Sequence, residues 1–99
     1  MRIIAKRTLR NFWQQSRYAD SEQPLKAWHS EAHKAEWKSP QDIKDHYRHA
    51  SILPGNRVVF NIAGNKYRLV VKVNYSIGIV YVRFIGTHRQ YDAIDAEAV

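Results

Sequence analysis

Three stretches in the second half of the chain alternate between apolar and polar positions with a period of two. This is the spacing of strands whose two faces meet different surroundings. From Arg57 to Ile62, Val58, Phe60 and Ile62 share one face, and Arg57, Val59 and Asn61 the other. From Lys66 to Asn74, Tyr67, Leu69, Val71 and Val73 oppose Lys66, Arg68, Val70 and Lys72. From Ile79 to Ile85, Val80, Val82 and Phe84 oppose Ile79, Tyr81, Arg83 and Ile85. Paired in order, these strands make one apolar face, with Phe60, Tyr67 and Phe84 in the core. The opposite face then carries Arg57, Asn61, Lys66, Arg68, Lys72, Tyr81 and Arg83.

The first half has a longer period. Leu9, Phe12 and Trp13 recur at spacings of three and four, which predicts a helix that Thr8 would cap. A second helix starts at Asp20 or Ser21, tolerates Pro24 in its first turn, and carries Leu25, Trp28, Ala32 and Ala35 on one stripe. Ser39-Pro40 opens a third, short helix with Ile43 and Tyr47 on its buried side, because serine caps and proline suits the first helical position. Trp13, Trp28 and Trp37 are most simply helix packing. Arg2 to Ala5 reads as an edge strand.

Pro54-Gly55, Ala63-Gly64-Asn65 and Gly78 mark the connections around the strands, with glycine and asparagine allowing a positive φ in the hairpin. After Gly86, Thr87 and Gln90 have the separation of a capping box. That box places His88, Tyr91 and Asp92 on one side of a short helix, just beyond the strand that carries Arg83. Helices first and antiparallel strands afterwards make the fold class α+β.

Ninety-nine residues form a single domain, 1–99, since the length suits one core and not two. With 44% apolar residues the chain is globular rather than disordered. No apolar run approaches the length of a membrane span, and Met1 to Ala5 is too short for a secretory leader. The chain has no cysteine, which excludes a disulfide framework or thiolate metal site and fits a reducing compartment.

The net charge of +7 calls for a polyanionic partner, nucleic acid first. No Asp or Glu lies between Asp45 and Asp92, whereas Arg48, Arg57, Lys66, Arg68, Lys72, Arg83 and Arg89 all do. A surface built for solubility alone intersperses both signs. The polar sheet face is therefore the candidate site.

A phosphodiester on such a face can be cleaved with the neighbouring ribose 2′-hydroxyl as nucleophile. The protein then supplies a base, an acid and donors for the charge that develops on phosphorus. Arg68 and Arg83 suit the last role, because guanidinium presents a planar fork of donors. His88 can exchange protons, Tyr91 can do so or stack on a base, and Lys72 can serve as base or electrostatic stabiliser. A magnesium-dependent nuclease is disfavoured, because the strands offer no carboxylate. His29 and His33, four apart on a helix, lack the further ligands of a zinc site.

FNIAGNKYRLVVKV, VYVRFIGTH and the final HRQYD, together with WKSPQDIKDHY and the opening MRII, resemble the HigB family of toxins within the RelE-like group. The resemblance implies a small antiparallel sheet of three to four strands, with N-terminal helices packed on one face and a short C-terminal helix, which agrees with the strand parity. It also implies a bacterial, cytoplasmic type II toxin: an endoribonuclease that cuts messenger RNA during translation on the ribosome, with no cofactor or metal. A HigA-like helix-turn-helix antitoxin would silence it, and operator DNA would be met only through that complex. Arg68, Arg83, His88 and Tyr91 fall at positions similar to the family's motifs and are the catalytic candidates. Arg57, Asn61, Lys66, Lys72 and Tyr81 are the RNA-binding candidates, from their place on the sheet.

Two other readings compete with the nuclease. A non-catalytic module could arrest translation by occupying RNA or the ribosome. A DNA-binding partner is weaker, since no helix pair with a basic recognition helix is evident.

Overall fold

The structure, a computed structural model, describes residues Met1–Val99. Strand β1 (Arg2–Ile4) leads into helix α1 (Lys6–Trp13), a 3-10 turn (Ser16–Ser21), α2 (Glu22–Lys34) and α3 (Pro40–His46). Strands β2 (Ser51–Leu53), β3 (Arg57–Ile62), β4 (Tyr67–Asn74) and β5 (Ile79–Thr87) follow, and α4 (His88–Asp92) closes the order. The architecture is α+β as the alternation requires, but the sheet has five strands in the order β1-β5-β4-β3-β2. Four of them pair antiparallel, while β1 joins β5 in parallel and makes the sheet mixed.

The helical stripes bury as their spacing demands. Leu9, Phe12 and Trp13 of α1, Leu25, Trp28 and Ala32 of α2, and Ile43 of α3 enter one core with Val58, Phe60, Ile62, Tyr67, Leu69, Val71, Val73 and Val80. Each such aliphatic side chain contributes about 1.5–3 kcal/mol by leaving water. Ser39 caps α3 by accepting from the Asp42 amide. Thr8 does not cap α1, which begins two residues earlier at Lys6. In the β3–β4 hairpin the positive φ angles fall at Ala63 and Gly64 rather than at Asn65.

Strand parity holds across β3 and β4 and fails in β5. Val71 faces Val82 and Lys72 faces Tyr81, yet Val70 faces Phe84 and Leu69 faces Ile85. One residue of β5, Arg83, is thus extra, which is the signature of a β-bulge. Beyond it every side chain changes face. Phe84, expected in the core, joins Val70 and Val59 on the opposite face, while Ile85 packs against the core.

Candidate nucleic-acid interface

Three rows of side chains cross the sheet face turned away from the helical core. Leu53, Arg57, Lys72 and Tyr81 form the first, Ser51, Val59, Val70 and Phe84 the second, and Asn61, Arg68 and Gly86 the third. The bulge sets Arg83 beside the first row, where it lines a cleft with Lys72 and Tyr81. Arg68 and Arg83 therefore share this face. Arg83 stands opposite Val70 and Val71, two to three residues along β4 from Arg68, or about 7–10 Å at the usual strand rise. Two long guanidinium side chains can close that separation.

Helix α4 is fastened over the third row. Thr87 accepts from the Gln90 amide at 3.1 Å, and the Thr87 amide donates to Gln90 Oε1 at 2.9 Å. The same Gln90 side chain donates through Nε2 to the Tyr18 hydroxyl at 3.1 Å. Tyr18 in turn stacks on Phe12 of α1. Gly86 lets Gln90 sit there, since a Cβ at that position would come within 2.6 Å of Gln90 Oε1 and of Phe84 Cζ.

Held this way, α4 puts the Tyr91 ring centroid 5.9 Å from the Arg68 guanidinium carbon, a cation–π contact of about 0.5–1 kcal/mol where exposed. Arg68 also donates through Nη1 to Asn65 Oδ1 at 2.9 Å. His88, at the start of the same helix, has its Nε2 enclosed and without a hydrogen-bond partner.

Two cations named by parity are engaged elsewhere. Lys66 precedes β4, in the hairpin turn, and is ion-paired to Asp20 of the 3-10 turn instead of facing an open sheet. Tyr67 donates to the other Asp20 oxygen at 2.5 Å. The Lys66 ammonium first, and the Tyr67 hydroxyl second, hold the Asp20 carboxyl below the usual carboxylate range. Asp20 correspondingly pushes the Lys66 ammonium up. Arg57 does lie on the face, but its Nε and Nη2 donate to the main-chain oxygen of Val99 at 3.1 and 2.7 Å.

That last contact exposes a feature absent from the sequence reading. Residues 93–99 run as a strap from Tyr91, above β4, to Arg57 on β3. Asp95 folds it, through its main-chain oxygen to the Ala98 and Val99 amides and through Oδ1 to the Glu97 amide. Ile94, Ala96 and Val99 are half-buried, whereas Asp92, Asp95 and Glu97 are exposed. Val59 and Val70 are buried on this side, outside the main core. The acids missing from the strands thus return beside the basic face. Apolar residues alternating with acids after Tyr91 were the one available signal of this.

Lys72, Tyr81 and Arg83 occupy the uncovered corner, and neither ion pair of the chain involves them. Asn61 is exposed at the far end of β3. No group of three or more His, Asp or Glu residues stands close enough together to hold a metal ion. His29 and His33 do stack in parallel, ring centroids 6.2 Å apart, and burial first, then Lys6 and His33, pushes the His29 imidazole down. No helix is long and apolar enough to cross a membrane.

Compared with known families, residues 21–94 match the model named HigB_toxin, described as a RelE-like toxic component of a toxin-antitoxin system. No curated protein matches the chain. The matched span runs from the start of α2 to the end of α4 and contains every candidate side chain of the basic face.

Proposed function

Because the chain belongs to the HigB toxin family, the RelE-like toxic components of toxin-antitoxin systems, we propose that it is an endoribonuclease that cleaves translated messenger RNA on the ribosome. Membership alone makes it a toxin with an antitoxin partner. Cleavage, the ribosome and a HigA-like identity for that partner belong to the proposal. The observation that carries it is the Arg68–Tyr91 contact, built on a cationic face by a capped helix whose placement depends on Gly86.

In the proposed reaction the ribose 2′-oxygen attacks phosphorus, and the bond from phosphorus to the 5′-oxygen breaks. The 2′-proton passes to a base and another proton reaches the departing 5′-oxygen, leaving a 2′,3′-cyclic phosphate and a 5′-hydroxyl. Arg68, held by Asn65 and Tyr91, and Arg83, projected by the bulge, stabilise the charge that develops on the phosphoryl oxygens. His88 and Tyr91, one turn of α4 apart at i and i+3, are the proton-transfer pair. Lys72, Tyr81 and Asn61 bind flanking RNA, and Arg57 adds to them once its strap contact exchanges for a phosphate. None of these steps requires a metal ion.

Induction of the gene followed by mapping of new RNA 5′ ends tests the reading. Wild-type protein should generate ends within translated frames, while Tyr91→Phe and His88→Gln should not, although both still bind ribosomes. Growth arrest by both variants without new ends would establish the occupancy reading instead.

A further inference from the structure

Beyond Asn74 and Ile79 strands β4 and β5 part, and the turn Tyr75–Gly78 rejoins them. Asn56, from the β2–β3 turn, closes the gap from the side of β3 and leaves a cleft of about 600 Å³. This lies within the size range of small-ligand sites. Its walls are of two kinds. Tyr81 supplies an aromatic surface, while Val73, buried in the core, and Tyr75, packed against it, only border the cleft. Asn56, Lys72, Asn74 and Arg83 supply polar groups, and no carboxylate lines the cleft.

The hydrogen bonding of Asn74 fixes what it can offer. Its Oδ1 accepts from Ser76 Oγ at 3.0 Å and from the Ile77 amide at 3.3 Å. Its Nδ2 therefore remains as a pair of free donors. With the ammonium of Lys72 and the guanidinium of Arg83, neither of them ion-paired, the polar wall is predominantly a wall of donors.

Such a wall discriminates among nucleobases. Guanine presents two neighbouring acceptors, O6 and N7, on one edge, whereas adenine pairs its N7 with a donor and cytosine offers an amino donor. A phosphate would satisfy the cations but leave Tyr81 unused, while a base can stack against its phenol ring. We infer that this cleft is a guanine-selecting nucleobase subsite, in which Asn74 and Lys72 read the O6/N7 edge against Tyr81. Arg83 holds the phosphate beside it. The inference rests on the RNA-binding reading of the face and adds a base preference to it.

The test uses the full chain and four 2′-O-methyl oligonucleotides, uncleavable and identical except for one central guanine, adenine, cytosine or uracil. The guanine oligonucleotide should bind about tenfold tighter than the others, within the discrimination a two-point base contact provides. Asn74→Asp keeps an acceptor for Ser76 and Ile77 but turns the free donors into an acceptor. It should cut the guanine preference to about onefold and favour cytosine. In a second arm, unphosphorylated guanosine should shift the Asn74 side-chain amide resonances, and inorganic phosphate should not.

Equal affinities for all four oligonucleotides, or a guanine preference that survives Asn74→Asp, would overturn the subsite while leaving RNA binding by the face intact. Shifts caused by phosphate and not by guanosine would assign the cleft to the backbone and also overturn it. If none of the four binds, the RNA-binding reading fails and the subsite with it.

Discussion

Arg68 and Arg83 lie on one sheet face yet are held in opposite ways. Arg68 is fixed by Asn65 on one side and the Tyr91 ring on the other, and nearby Arg57 is tied down by the strap. Arg83, with Lys72 and Tyr81, borders an open cleft and takes part in no ion pair. A donor that must stabilise a transition state gains from being fixed in advance, since it need not reorganise as charge develops. A cation that captures a polyanion gains from exposure, because its field reaches further into solvent. Under the proposed reaction, the contrast gives Arg68, on the α4 side of the face, the part of the fixed donor. It gives Lys72 and Tyr81 at the open corner the part of capture, with Arg83 reaching from that corner to the same phosphoryl group.

Substitutions can break that contrast, and the largest effect falls on the fixed side. Arg68→Ala should lower cleavage at saturating RNA by about 10²–10³-fold, the usual loss for a donor to a developing oxyanion, with a much smaller change in RNA affinity. Single-turnover kinetics separates the two. Equal losses in affinity and turnover would erase the distinction between the sides.

Gly86→Ala acts on the same side without touching a charge. Its methyl would displace Gln90 or Phe84, loosening the capping box and tilting α4. Turnover should fall about tenfold, comparable to a side chain held slightly out of line, with RNA affinity nearly unchanged. Restored turnover in a Gly86→Ala, Gln90→Ala double variant would argue against positioning through the capping box.

On the open corner the effect should be smaller and of another kind. Lys72→Ala should reduce the slope of log affinity against log salt by about one, and affinity itself several-fold, without affecting turnover at saturation. An unchanged slope would remove Lys72 from the phosphate-contacting set.

The smallest effect is predicted for the cation that belongs to neither side. Asp20 titrates below its ordinary 3.8 because Lys66 and Tyr67 stabilise its charged form. A depressed carboxyl lends stability that is present above its unfolded value and is lost as pH falls through the folded one. Asp20→Asn should therefore flatten the loss of thermal stability below about pH 4, as read by circular dichroism. Lys66→Ala should leave RNA affinity near wild type. A marked loss of affinity would return Lys66 to the binding face.

Local chemistry was legible before the structure, and non-local pairing was not. The Thr87–Gln90 capping box, the Ser39 cap and the core faces of β3 and β4 follow from spacing alone. The bulge at Arg83 arises from how β5 pairs with β4, which no single strand encodes, so Phe84 and Ile85 exchanged faces beyond it. β2 is three residues long, too short for alternation to show. Lys66 looked free because Asp20 is 46 residues away in sequence. The strap closes onto Arg57 across 42 residues, so the acids of the last segment looked remote from the basic strands.

The most direct test of the account is the chemistry of the cut ends, read on RNA cleaved on ribosomes by the purified protein. The account predicts 2′,3′-cyclic phosphate and 5′-hydroxyl ends, absent with Tyr91→Phe. Ends carrying 5′-phosphate and 3′-hydroxyl would contradict it.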